Sequence, residues 1–180
     1  MSALLCLLVA SGMGQAAGER MPLDNAVVHR PTHITKRKVL AGLPEGLVVV
    51  TSPAEDVVAL AKQFRKAAAA EHPVVREGVT LCILAAGPML DGPDKVQPGK
   101  LVRRGSRIEL EILHTAVRLR GAQLRRNIIW RPLVQVTLEL PAGRYQVEAT
   151  WLAVAALPDG KRLEAPPRVN STRFAVLPQK

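Results

Sequence analysis

The segment Leu140–Trp151, "LPAGRYQVEATW", decides the fold class of this chain. A turn-forming run, Pro141–Arg144, is followed by strict alternation of apolar and polar residues. A period of two is typical of a β-strand with one buried face and one exposed face. The alternation therefore predicts which side chains point into a core: Tyr145, Val147, Ala149 and Trp151.

Two upstream segments repeat this period, and two more are apolar enough for strands. Residues 106–113 ("SRIELEIL") and 132–140 ("PLVQVTLEL") alternate, while 78–87 ("GVTLCILAAG") and 171–178 ("STRFAVLP") predict a buried strand and a final strand. The predicted inward residues are Ile108, Leu110, Ile112, Val134, Val136, Leu138 and Leu140. His114 also falls on the predicted inward face, but the apolar residues after it no longer keep to the same alternation. This change predicts a bulge within 113–116.

The spacing Leu-x-x-Gly-x-Tyr-x-Val at Leu140–Val147 resembles the tyrosine corner of immunoglobulin-like and fibronectin-type sandwiches. The resemblance implies that the Tyr145 hydroxyl bonds backward across the turn and that Val147 occupies a core position. It also implies an antiparallel sandwich, for which 78–180 has room. The resemblance concerns fold rather than activity.

Residues 52–73, "SPAEDVVALAKQFRKAAAAEHP", carry the strongest helix pattern. Ser52 suits the N-cap, Pro53 the first helical position and Glu55 a capping box. We therefore predict a mainly β fold, an antiparallel immunoglobulin-like sandwich with one N-terminal amphipathic helix. The alternative is a single α+β domain. In the predicted organisation, 26–77 is a strand–helix extension packed on a sandwich of 78–180.

The first residues predict export. A short apolar run, Leu4–Ala10, is followed by small residues and then by the first charge, Glu19, which is typical of a signal peptide over 1–17. No Lys or Arg precedes the run, so a buried strand or helix is the alternative. We expect a periplasmic or cell-surface protein if the source is bacterial, and a secreted one otherwise. The sequence has no run of eighteen apolar residues, so it predicts no transmembrane segment.

The positive charge is concentrated. The chain has a net charge of +10, and residues 95–131 hold ten Lys and Arg residues against two glutamates. Guanidinium groups bind carboxylate, sulfate and phosphate in bidentate fashion. The predicted binding surface consists of Arg103, Arg104, Arg118, Arg120, Arg125, Arg126 and Arg131. Its expected partner is an acidic protein or an anionic polysaccharide or lipid surface.

A second interpretation of these arginines needs no ligand. Arg outnumbers Lys 17 to 8, which codon usage alone could produce, and outward arginines also solvate strands. Trp130 is the one aromatic residue in the basic segment. This scarcity of stacking residues argues against a nucleic-acid partner.

The sequence offers no catalytic residue, cofactor motif or metal-ligand set. His29 and His33 are four apart, but Pro31 argues against the helix that would align them. Cys82 lies in an apolar run and is expected to be a buried, unreactive thiol. No serine lies in a glycine-flanked elbow.

These observations predict an exported, non-catalytic recognition or assembly module with a basic surface. The first alternative is an inhibitor or accessory subunit of an extracellular hydrolase, presenting the turn-rich segment Met89–Lys100 as a loop. The second alternative is an enzyme whose metal is held by His29, His33 and His114.

Overall fold

The structure is a computed structural model that describes residues 18–30, 33–70, 73–91, 94–117, 129–156 and 162–179. The predicted signal peptide, 1–17, lies outside these ranges. Within them the chain is mainly β, with thirteen strands and two helices. The elements in chain order are β1 (Glu19–Met21), β2 (Val27–His29), α1 (Ile34–Ala41), β3 (Gly46–Thr51), α2 (Val57–Ala68), β4 (Val74–Arg76), β5 (Leu81–Ala86), β6 (Leu90–Asp91), β7 (Lys95–Arg104), β8 (Arg107–Val117), β9 (Ile129–Trp130), β10 (Leu133–Leu138), β11 (Gly143–Ala156), β12 (Arg162–Glu164) and β13 (Arg168–Leu177).

The strands form two large sheets whose apolar faces pack together. Sheet A has the order β1-β7-β8-β11-β13-β4, with β12 paired to the end of β11, and sheet B has the order β2-β10-β5-β3. Strands β6 and β9 pair separately. The core between the sheets confirms the predicted inward residues, none of which is more than 7% exposed: Ile108, Leu110, Ile112, Val134, Val136, Leu138, Leu140, Tyr145, Val147, Ala149 and Trp151.

A second core lies on the other face of sheet B, where both helices pack. Leu40 of α1 and Leu60 and Phe64 of α2 cover sheet B side chains that include Cys82 and Leu84. The described chain therefore has three layers, which are helices, sheet B and sheet A. The outer face of sheet A carries the polar half of each alternating strand.

The prediction of a purely antiparallel sheet is wrong for sheet A. Strand β8 pairs with β11 in parallel, and β13 pairs with β4 in parallel. A parallel pair needs a crossover connection. After β8 the chain passes through β9 and β10, and β10 belongs to sheet B, so it returns to sheet A from the other layer.

The prediction of one N-terminal helix is also wrong, because two helices are present and the longer one begins later than expected. Asp56 is the N-cap of α2, accepting from the backbone N–H of Val58 at 2.9 Å and of Ala59 at 3.1 Å. Ser52, the predicted cap, has a φ of 51° and lies in the turn that ends β3. The Gln63 side chain then holds 52–54 against the helix through two backbone hydrogen bonds.

Two further local predictions are corrected by strand pairing. The predicted loop Met89–Lys100 contains β6 and the first half of β7. The predicted bulge within 113–116 is absent from the described ladders, where β8 pairs continuously with β11 from Arg107 to Val117. The register instead shifts on the neighbouring strand, between Pro98 and Lys100.

The segment 26–77 contributes to both sheets as well as supplying the helices. Strands β2 and β3 pair into sheet B, and β4 pairs into sheet A. Neither helix in the described ranges has the length and apolar character needed to span a membrane.

Candidate functional site

Three of the seven arginines predicted to bind a partner lie in the described part of the chain. They are Arg103, Arg104 and Arg131. The other four lie outside the described residues, and their role stays a prediction: Arg118, Arg120, Arg125 and Arg126.

Arg103 and Arg104 point to opposite faces of sheet A, so they do not form one patch. Arg103 is paired with Ile108, which faces the core, whereas Arg104 is paired with Arg107 on the outer face. A guanidinium nitrogen of Arg103 lies 4.0 Å from the Glu19 carboxylate. Adjacent strand residues alternate in direction, and this separates the two arginines.

Carboxylates on the outer face neutralise Arg104 and its neighbour Arg107. Glu109 lies 3.8 Å from the Arg104 guanidinium and 3.3 Å from that of Arg107. Arg107 also forms a 2.6 Å ion pair with Glu148. These two arginines are therefore already engaged within the protein.

Arg131 has internal contacts and does not join the outer face. Its side chain is 12% exposed, donates a hydrogen bond to the carbonyl of Gly87 and lies 3.7 Å from the Glu45 carboxylate. Burial lowers the pKa of Arg131, an effect that Glu45 opposes and Arg168 increases. Arg131 is best described as a structural residue that ties the β9–β10 connection to sheet B.

Two arginines outside the predicted set, Arg144 on β11 and Arg173 on β13, have no carboxylate partner among the described residues and lie close together. Both are exposed, and within the described residues no carboxylate forms an ion pair with either. They line a groove of about 560 Å³ on sheet A, together with Ser106 and Gln146. We call this the Arg144–Arg173 groove.

Strand register explains how the groove is assembled. Gln146 is paired with Arg107 on one side and with Arg173 on the other, and Arg107 is paired with Arg104. Since neighbouring strands lie about 5 Å apart, these four side chains form one row across the outer face. Arg144 lies two residues before Gln146 on the same face. The row is neutralised at its Arg104–Arg107 end and stays cationic at its Arg173 end.

The alternation could have indicated that Arg144 and Arg173 face outward. Arg144 precedes the inward Tyr145, and Arg173 precedes Phe174, which is 4% exposed. Nothing local indicates that β13 pairs with β11, or that Glu148 of β11 pairs with Arg107 of β8. The predicted binding surface lies in the segment richest in arginine, but the density of arginines along the chain does not show which of them form ion pairs.

A second polar cluster involves His114, which is buried as predicted. Its Nε2 lies 2.9 Å from a carboxylate oxygen of Asp94, and its Nδ1 is buried without a hydrogen-bond partner. The side chains are only 11% and 9% exposed. This pair fastens the start of β7 to β8.

The metal-site alternative finds no group of ligands in the ranges that the structure describes. There, no three His, Cys, Asp or Glu side chains are grouped so that they could hold a metal ion. His29 is instead 2.8 Å from the Gln135 side-chain oxygen. His33 is exposed at the N-cap of α1 and makes no side-chain capping bond.

Comparison of the chain with known protein families, with curated proteins and with solved structures finds no match.

Proposed function

We propose that this chain is an exported, non-catalytic recognition module of the immunoglobulin-like class, and that it binds an anionic partner at the Arg144–Arg173 groove. The observation that carries the proposal is the pair of exposed arginines beside Gln146 that lack a carboxylate partner among the described residues. Such a pair attracts carboxylate, sulfate or phosphate groups and offers them bidentate hydrogen bonds.

The immunoglobulin-like part of the proposal is supported by the corner before β11. The Tyr145 hydroxyl donates a 2.9 Å hydrogen bond to the carbonyl of Pro141, four residues upstream. Val147 is fully buried between the sheets. Both features are those expected of a tyrosine corner. Export is supported by the residue pattern of 1–17.

Binding is tested by retention of the full chain on immobilised heparin and on vesicles containing anionic lipid. The test variant is the double substitution Arg144→Glu and Arg173→Glu. The matched control is Lys62→Glu with Lys66→Glu, which makes the same charge change on exposed positions of α2. We expect the groove variant to elute at a clearly lower salt concentration than the control, because specific contacts add to the screened long-range attraction.

Equal loss of retention in both variants would mean that net charge alone drives binding, and the groove would be discarded. A third variant reverses the four arginines of 118–126 that were predicted as contacts. If that variant alone loses retention, the partner binds the predicted segment and not the groove.

A further inference from the structure

Strand β13 is paired unequally on its two sides. Nine of its residues, Arg168–Val176, pair with β11, but only three, Ala175–Leu177, pair with β4. In the described chain, the stretch Val169–Arg173 therefore forms an open edge of sheet A. This edge borders the Arg144–Arg173 groove.

Two hydrogen bonds establish which backbone groups point to the open side. The N–H of Ala175 donates to the carbonyl of Pro73 at 3.2 Å, and the carbonyl of Leu177 accepts from the N–H of Glu77 at 2.7 Å. Backbone groups in a strand repeat every two residues. The N–H and C=O of Arg173, Ser171 and Val169 therefore point the same way, and no described backbone group bonds to them.

The side chains of these same three residues lie on the outer face. Arg173 lines the groove, Ser171 is exposed, and Val169 is 56% exposed. Arg173 and Val169 are four residues apart, so they lie about 13 Å from each other along the strand. The edge thus offers backbone hydrogen bonds, a cation at one end and an apolar side chain at the other.

We propose, building on the proposed function, that the partner is an extended acidic polypeptide segment that adds to β13 as an antiparallel strand. Its carboxylate side chain lies opposite Arg173 and within reach of Arg144. An aliphatic side chain four residues later lies opposite Val169. A polypeptide satisfies the edge because it supplies donors and acceptors at strand spacing, which a polysaccharide or lipid headgroup does not. Antiparallel pairing is the more stable geometry.

The probe is a capped seven-residue peptide of threonines with glutamate at its second position and valine at its sixth. Binding to the full chain is measured by fluorescence anisotropy of the labelled peptide. Replacing the glutamate with glutamine is expected to weaken binding about fivefold. Moving the glutamate to the third position is expected to weaken binding as much, because a shift of one residue turns the carboxylate to the other face.

Backbone pairing is tested separately from charge. Ser171→Pro removes one N–H from the open edge and leaves the ladder with β11 intact, because that N–H points away from β11. We expect about fivefold weaker peptide binding and unchanged heparin retention. Ser171→Ala is the matched control and should bind normally. N-methylation of the fourth peptide residue should weaken binding in the same way, and that result does not depend on how any variant folds.

The outcomes separate the two proposals. Strand addition is overturned if the peptide does not bind, or if it binds equally well with the glutamate at either position. If heparin retention still depends on Arg144 and Arg173, the proposed function stands in that case. Equal peptide binding by the Ser171→Pro and Ser171→Ala variants also overturns strand addition. Retention unaffected by the groove substitutions overturns the proposed function itself.

Discussion

The hydroxyl of Tyr145 donates a 2.9 Å hydrogen bond to the carbonyl of Pro141, which closes the turn that leads into β11. The Tyr145 ring packs against Phe174 with centroids 5.5 Å apart. One side chain therefore joins the turn, β11 and β13. Since Arg144 and Arg173 are the residues immediately before these two aromatic residues, the contact also positions the groove.

Replacing Tyr145 with Phe should lower the free energy of unfolding by about 1 kcal/mol, because it removes the hydrogen bond and keeps the ring contact. Urea unfolding followed by circular dichroism measures the change. Tyr145→Leu, which removes the ring contact as well, should be less stable than Tyr145→Phe. A Tyr145→Phe variant as stable as the parent would show that the corner bond contributes nothing.

The start of α2 can be located by comparing two substitutions. Asp56→Ala should destabilise the protein by about 1 kcal/mol, since two helix N–H groups lose their acceptor. Ser52→Ala should change stability by less than about 0.5 kcal/mol, because that side chain caps nothing. Both values come from urea midpoints. If Ser52→Ala proves the more damaging change, the helix begins where the sequence pattern placed it.

Because of Cys82, the free energy of unfolding should depend on pH in the alkaline range. Burial raises the pKa of its thiol from 9.0 to about 12. Above pH 9 the unfolded chain releases this proton while the folded chain keeps it. The free energy of unfolding therefore falls by about 1.4 kcal/mol per pH unit. The contribution is fully present below pH 9 and is lost as the pH rises toward 12.

The measurement compares the parent with Cys82→Ala, both carrying Cys6→Ser so that Cys82 is the only thiol that titrates. The difference between their free energies of unfolding should shrink by about 1.4 kcal/mol from pH 8 to pH 10. All other ionisable groups are the same in both proteins, so their contributions cancel. A difference that stays constant would mean that the thiol ionises freely in the folded protein.

The same substitution should destabilise the protein much more at Arg131 than at Arg104. Arg131→Met removes a buried donor from the Gly87 carbonyl and should destabilise by about 2 kcal/mol. Arg104→Met removes a 3.8 Å surface ion pair and should cost less than about 0.5 kcal/mol. Thermal unfolding of both variants gives the comparison. Similar losses would contradict the internal position assigned to Arg131.

The strand faces could be read from the chain because their information is local. A strand repeats every two residues, so the apolar positions around Val136 and Val147 identify the buried side without knowledge of any neighbour. The helix pattern over 52–73 was informative for a similar reason. Its start was misplaced because Ser52 adopts a left-handed turn, and Gln63 binds the residues that were expected to begin the helix.

The candidate site was predicted less well, since ion pairing depends on which strands become neighbours. Arg107 and Arg173 have the same chemistry and both face outward. Arg107 lies beside Glu109 and Glu148, whereas Arg173 lies on the stretch of β13 that no described strand covers on its second side. The alternation places Glu109 on the same face as Arg107, but the pairing of Arg107 with Glu148 depends on β8 and β11 being neighbours, which the sequence around either residue does not indicate.

By itself, the sequence determined that this protein is built mainly from strands, which residues form the core between them, and that Cys82 lies inside. Only the tertiary structure decided that β8 and β11 pair in parallel, that Arg131 turns inward, and that Arg144 and Arg173 meet in one groove. Periodicity along the chain specifies which face of a strand a side chain lies on. The pairing of distant strands specifies its neighbours on that face. The charge of a side chain is therefore available to a partner only where those neighbours leave it unpaired.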